Sequence, residues 1–169
     1  MSKVAFLADA MLGNIARKLR VFGFDTAYLA DTHDDEILRV GIEEKRTILT
    51  ADRELFKRMV KANAPGVLVD CRSEVEDIAH ILSKVGVRTI CVGGFDAADC
   101  RPRCSACNGV LEPKSPSDIG DGVPEQVRHR QKEFFQCIEC SKVYWEGGHF
   151  KRLEELAKKV NAALARQEA

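Results

Sequence analysis

Short apolar runs alternate with stretches of helical period along the first ninety or so residues. Residues 3–8 read as a strand too apolar to alternate, and therefore buried on both faces. From Met11 the period changes: Leu12, Ile15, Ala16 and Leu19 share one helical face, and Gly23 ends the helix. A weaker strand follows at 24–29, "FDTAYL". Asp34 is then placed to cap a helix carrying Ile37, Leu38 and Ile42. "RTILT" at 46–50 predicts the third strand, and a helix starting at Asp52 buries Leu55, Phe56 and Met59. Pro65-Gly66 breaks it ahead of "VLVD". "SEVE" at 73–76 forms a capping box before Val75, Ile78, Ala79 and Leu82. After Gly86, "RTICV" predicts a fifth strand.

Such alternation predicts an α/β fold with an open parallel sheet of about five strands flanked by helices. Beyond Gly93-Gly94 the pattern changes. All prolines but one lie between Cys100 and Trp145, where no long period runs. Residues 96–169 therefore read as a separate unit, a small loop-rich module closed by a helix. That helix runs from about Phe150 and carries Leu153, Leu156, Val160 and Leu164. Residues 1–95 form the sheet domain.

Seven cysteines change the picture more than any other composition figure. Cys104 and Cys107 ("CSAC") and Cys137 and Cys140 ("CIEC") are two CxxC pairs with 29 residues between them. Each pair grips an ion from a tight turn, and together they supply the four thiolates of a structural zinc site. A closed sulfur shell leaves no open position for catalysis, and metal binding would supply much of the folding energy of so small a module. Cys100 is an alternative ligand by proximity alone. Cys71 and Cys91, at strand ends, read as small core residues. No run reaches the length of a membrane span and no leader pattern opens the chain, so a cytoplasmic protein with reduced thiols is expected.

Lys plus Arg and Asp plus Glu both number 26, so any basic surface is local. Arg128, His129, Arg130 and Lys132 precede Phe134 and Phe135, a mixture suited to phosphate contact and base stacking. Those rings serve equally to cover the zinc knuckles. His149, after "YWEGG", either meets substrate or caps the last helix.

The acids carry the candidate chemistry. Ligands of open parallel sheets bind beyond the carboxyl ends of the strands. Asp9 follows the first strand and Asp52 the third. With strand order 2-1-3-4-5 these two ends are neighbours. Asp34 and Asp35 open the intervening helix on the same side, and Asp70 is a weaker candidate after strand four. Acids gathered there would raise one another's pKa or recruit Mg²⁺ or Mn²⁺, which activates water and stabilises displacement at phosphorus. Arg17 and Arg20 would hold the polyanion. The competing role for each aspartate is an ordinary helix cap.

"FLADAMLGNIARKLRVFGFDT", "DDEIL…EEKRTILTADREL", the two CxxC pairs and "YWEGGH" resemble, in that order, the PIN-like ribonuclease family of the Mut-seven C-terminal type. The resemblance implies a PIN-type nuclease domain followed by a zinc ribbon, with RNA as substrate and Mg²⁺ or Mn²⁺ at clustered acids. Asp9 matches the first acid, Asp34 the helix-start acid with Asp35 next to it, and Asp52 the aspartate of the "T-x-D" motif. Cys104, Cys107, Cys137 and Cys140 match the ribbon ligands. Where the family usually has arginine inside that motif, this chain has Ala51, with Arg53 one step on. Arg17, Arg20, Arg53, Arg128, Arg130 and His149 are then the expected substrate contacts. The expected function is a metal-dependent ribonuclease whose ribbon aids RNA binding. The alternative is a catalytically weak RNA- or protein-binding adaptor on the same fold.

Overall fold

A computed structural model describes residues 4–70, 72–92, 101–119 and 122–167. The chain alternates β1 (Ala5–Ala8), a 3-10 turn (Ala10–Leu12), α1 (Gly13–Val21), β2 (Asp25–Tyr28), α2 (Asp34–Glu43), β3 (Thr47–Thr50), α3 (Arg53–Lys61), β4 (Gly66–Leu68) and α4 (Glu74–Lys84). The four strands pair in the order β2-β1-β3-β4, all parallel. Both faces are covered, as their continuous apolar runs require. Phe6 and Ala8 of β1 point into a core shared with Leu12, Ile15 and Leu19 of α1 and Ile78 and Leu82 of α4. Leu7, one residue out of phase, joins Ile37 of α2, Ile48 and the α3 residues Leu55 and Met59.

The fifth predicted strand does not form. Residues 88–92 take no strand conformation. The Ile90 N–H donates to Asn161 Oδ1 at 2.8 Å, and Asn161 Nδ2 donates back to the Ile90 carbonyl at 2.8 Å. A side-chain amide thus takes the place of a strand partner and satisfies both backbone groups. Asn161 belongs to α6 (Gly148–Gln167), whose Leu156, Ala157, Val160, Ala163 and Leu164 complete the core on the α1 and α4 side. The last helix therefore packs with the sheet.

Two smaller expectations also change. His33, and not Asp34, occupies the cap position of α2; Asp34, Asp35 and Glu36 fill its first turn, where negative charge offsets the helix dipole. Cys91 is exposed and disulfide-bonded, so it is not a core residue. Cys71 and Cys100 lie outside the described residues.

The ribbon consists of β5 (Leu111–Lys114), α5 (Glu125–Arg130), β6 (Phe134–Cys137) and β7 (Val143–Trp145), with the strands in an antiparallel sheet β5-β6-β7. Its own core is small: Ile119, Val123 and Phe134. Among the described residues no helix is long and apolar enough to cross a membrane.

Candidate functional site

Because β1 and β3 are neighbours, the two aspartates that follow them meet. Asp9 is buried. Its Oδ1 accepts from the Met11 N–H at 3.1 Å, and its Oδ2 accepts a short hydrogen bond from the Thr50 hydroxyl. The same Thr50 oxygen accepts from the Asp52 N–H at 2.9 Å. Thr50 therefore links the Asp9 carboxylate to the Asp52 backbone. Burial pushes the Asp9 carboxyl above its usual range; the Thr50, Met11 and Ala51 hydrogen bonds oppose that, and the Asp52 charge adds to it. Asp52 caps α3, its Oδ1 accepting from Glu54 N at 2.7 Å and Leu55 N at 3.3 Å. Capping and proximity to Asp9 thus coexist in one side chain.

Asp34 and Asp35 hold a different partner. Arg58 of α3 donates to Asp34 Oδ2 at 3.1 Å and makes a short contact to Asp35 Oδ1, clamping α2 to α3. Asp70 lies beyond β4 and pairs with Arg72 at 2.8 Å. Among the described residues, the only set of three or more metal-ligating side chains close enough to share an ion is Cys104, Cys107, Cys137 and Cys140.

Those four sulfurs lie within 4.8 Å of one another. Zn–S bonds of about 2.3 Å place tetrahedral sulfurs about 3.8 Å apart. Cys104 and Cys140 are 3.6 Å apart, and Cys107 and Cys137 are 3.4 Å apart, so the donor set fits zinc. The two knuckles are built alike. In the first, Asn108 N donates to Cys104 O at 2.8 Å and Cys104 N to Gly109 O at 2.9 Å. In the second, Ser141 N donates to Cys137 O at 3.0 Å and Cys137 N to Lys142 O at 2.9 Å. Asn108 and Ser141 both take positive φ, 71° and 60°, to turn the chain after the second cysteine of each pair. Gly109 has no room for a side chain, since a Cβ there would lie 2.7 Å from Cys137 Sγ.

A model of the Mut7-C RNAse domain matches residues 4–157, nearly the whole chain. The chain belongs to this family. No curated protein and no solved structure gives a match.

In this Mut7-C RNase domain the first knuckle is docked on the sheet's edge strand. Asn108 Oδ1 accepts from the Thr26 N–H at 3.0 Å, and Arg20 Nε donates to the Thr26 carbonyl at 2.8 Å. Both outward backbone groups of β2 at Thr26 are thereby satisfied, and the edge is covered at this residue. Arg20 also donates to the knuckle carbonyls of Ser105 and Ala106, at 3.0 and 3.1 Å. Asn108 Nδ2 donates to Asp25 at 2.8 Å, and Asp25 also holds Arg46 at 2.7 Å. Arg20 was expected to meet substrate. It is buried, its guanidinium bonded to backbone carbonyls, and it lines a smaller cavity beside Asn14 and Arg17.

The remaining basic residues fall into separate places. Arg17 and His149 line one cleft of about 520 Å³ together with Lys18, Lys142, Tyr144 and Trp145. Lys18 also reaches Glu74 of α4 at 3.8 Å. Arg53 is exposed at the start of α3. Arg128 and Arg130 sit on α5, outside that cleft, where neighbouring His129 lies 3.5 Å from Glu125. Phe134 and Phe135 are buried, in keeping with packing. Sequence reasoning did not assign Thr50, Asn108, Asp25 or Lys142. The threonine was visible inside "T-x-D", but nothing in the spacing says that its hydroxyl faces Asp9.

Proposed function

We propose that this domain is a metal-dependent ribonuclease acting at the rim formed by Asp9 and Asp52. The observation that carries this is a buried acid, Asp9, with the Asp52 charge near it and the Thr50 hydroxyl bonded to the Asp9 carboxylate and the Asp52 N–H. Burial, with the Asp52 charge adding to it, disfavours ionisation of the Asp9 carboxyl unless a cation balances it. The all-oxygen donor set of the two acids fits Mg²⁺ or Mn²⁺. Such an ion, when bound, supplies Lewis-acid activation of water and charge stabilisation at phosphorus.

The chain's own residues then have distinct tasks. Thr50 holds the Asp9 carboxylate in one orientation. Asp52 offers the oxygen not used in capping α3. Arg17 and Arg53, both exposed, orient the polyanionic backbone. Asp34 or Asp35 joins the rim only by releasing Arg58, so that pair acts as a reserve ligand. The zinc ribbon is structural and extends the RNA-binding surface.

The test is cleavage of a labelled single-stranded RNA by zinc-loaded protein with and without Mn²⁺. Asp9→Asn and Asp52→Asn should each lower the Mn²⁺-dependent rate by about 10²-fold or more, the size of removing one preorganised transition-state contact. Unchanged rates in both variants would end the proposal. The Arg58 clamp supports a second reading, a catalytically weak RNA-binding adaptor. Its signature is RNA affinity that persists without divalent ion and yields no product at any metal concentration.

A further inference from the structure

Between α1, β7 and the start of α6 lies the cleft of about 520 Å³ that holds Arg17, Lys18, Lys142, Tyr144, Trp145 and His149. Among the described residues no carboxylate lines it. In a chain with 26 cationic and 26 acidic residues, a wall of one sign is a strong local departure. The N-terminus of the 20-residue α6 opens on the same cleft at Gly148 and His149, with no acid in its first turn. The α6 dipole adds positive potential there. Trp145 is 38% exposed although its ring packs against Phe134 at 6.4 Å between centroids. A Cβ at Gly147 would stand 3.2 Å from the indole nitrogen, so the loop lies tight against the edge of the ring. Lys142 Nζ sits 5.8 Å from the centre of the Tyr144 ring. Finally, Asn14 and Arg17 also line a second cavity of about 360 Å³, bounded by Ala10 and Met11, the residues directly after Asp9.

We propose that this cleft is a single-stranded RNA subsite, in which one unstacked base lies on Trp145 while Arg17, Lys142 and the α6 N-terminus hold the flanking phosphates. The shared Arg17 wall leads the strand from the ribbon toward Asp9. Single-stranded RNA suits the cleft because a duplex offers no free base face to an aromatic ring. This inference rests on RNA being the substrate, as proposed above, but it does not require that the rim cleave.

Trp145 is the sole tryptophan, so its emission reports on the cleft alone. Zinc-loaded Asp9→Asn protein, without added divalent ion, is titrated with oligouridylate of about ten nucleotides. Saturable quenching is expected. Trp145→Leu should weaken binding about tenfold, measured by anisotropy of a labelled oligonucleotide. Trp145→Phe, which keeps the ring packing on Phe134, should recover most of that loss. Arg17→Ala, an exposed change that leaves packing intact, should lower the salt slope of log Kd by about 0.7. RNA binding with unchanged emission would overturn the subsite, as would equal quenching by heparin, which carries charge but no bases. Retained cleavage with unaltered affinity in Trp145→Leu would also overturn it while leaving the hydrolytic proposal intact. Quenching by RNA with no cleavage under any metal would uphold the subsite and remove the hydrolytic proposal instead.

Discussion

Asp9 carries a conflict between stability and function. Burial raises its pKa above the ordinary 3.8, so the native state holds the proton more tightly than the unfolded chain does. Its contribution to stability is therefore fully present below the ordinary carboxylate pKa and is lost as pH rises through the raised native value. Asp9→Asn removes the ionisable group. The metal-free variant should lose less stability than the natural protein between those two pKa values, as thermal melts across acid to neutral pH would measure, while it loses Mn²⁺-dependent cleavage. Thr50→Val leaves both Asp9 and the Asp52 N–H without their shared partner. It should cost about 1–3 kcal/mol in urea unfolding, the usual result of stranding buried polar groups. The positions of the acids were legible in the sequence because strand ends feed helices in parallel sheets. The role of Thr50 was not, because a side-chain rotamer depends on the neighbouring strand.

The edge strand β2 and the first zinc knuckle behave as one unit. The Thr26 N–H loses its acceptor if the knuckle leaves, since Asn108 supplies it, while Arg20 of α1 still reaches the Thr26 carbonyl. Stripping zinc with a chelator should therefore accelerate amide hydrogen exchange at Thr26, while the β3 amide of Leu49, at the centre of the sheet, stays protected. Equal rates before and after chelation would show that the knuckle does not seal this edge. Arg20→Ala, which leaves the Thr26, Ser105 and Ala106 carbonyls without their donor, should destabilise the fold by about 3 kcal/mol. Four strands and the helices between them follow from periodicity and turn residues, while the order β2-β1-β3-β4 comes from the strand pairing. The fifth run, "RTICV", has the same local signature and still fails to pair. Asn161, far along the chain, captures its backbone, and no local pattern announces that contact.

Across the whole molecule, the sheet and the ribbon share one surface. The acids lie at the carboxyl edge of the strands, and the cationic cleft lies between that region and the ribbon. A divalent ion bound only to the native rim should stabilise the protein by about 2.7 kcal/mol at a hundred times its Kd. Mn²⁺ should accordingly raise the melting temperature of the zinc-loaded chain at neutral pH. The rise should vanish in Asp9→Asn and shrink as Asp9 is protonated. The sequence alone determined the alternation of elements, the zinc knuckles and the strand-end acids, because each depends on spacing within a few residues or on the parallel order of neighbouring strands. Tertiary packing decided that Asp34 and Asp35 face Arg58, that Arg20 binds the knuckle, and that α6 lies against α4. It also brought Arg17 to Trp145 across more than a hundred residues. Such pairings are set by which surfaces bury together, and that energy is shared by elements too distant in the chain for local pattern to encode.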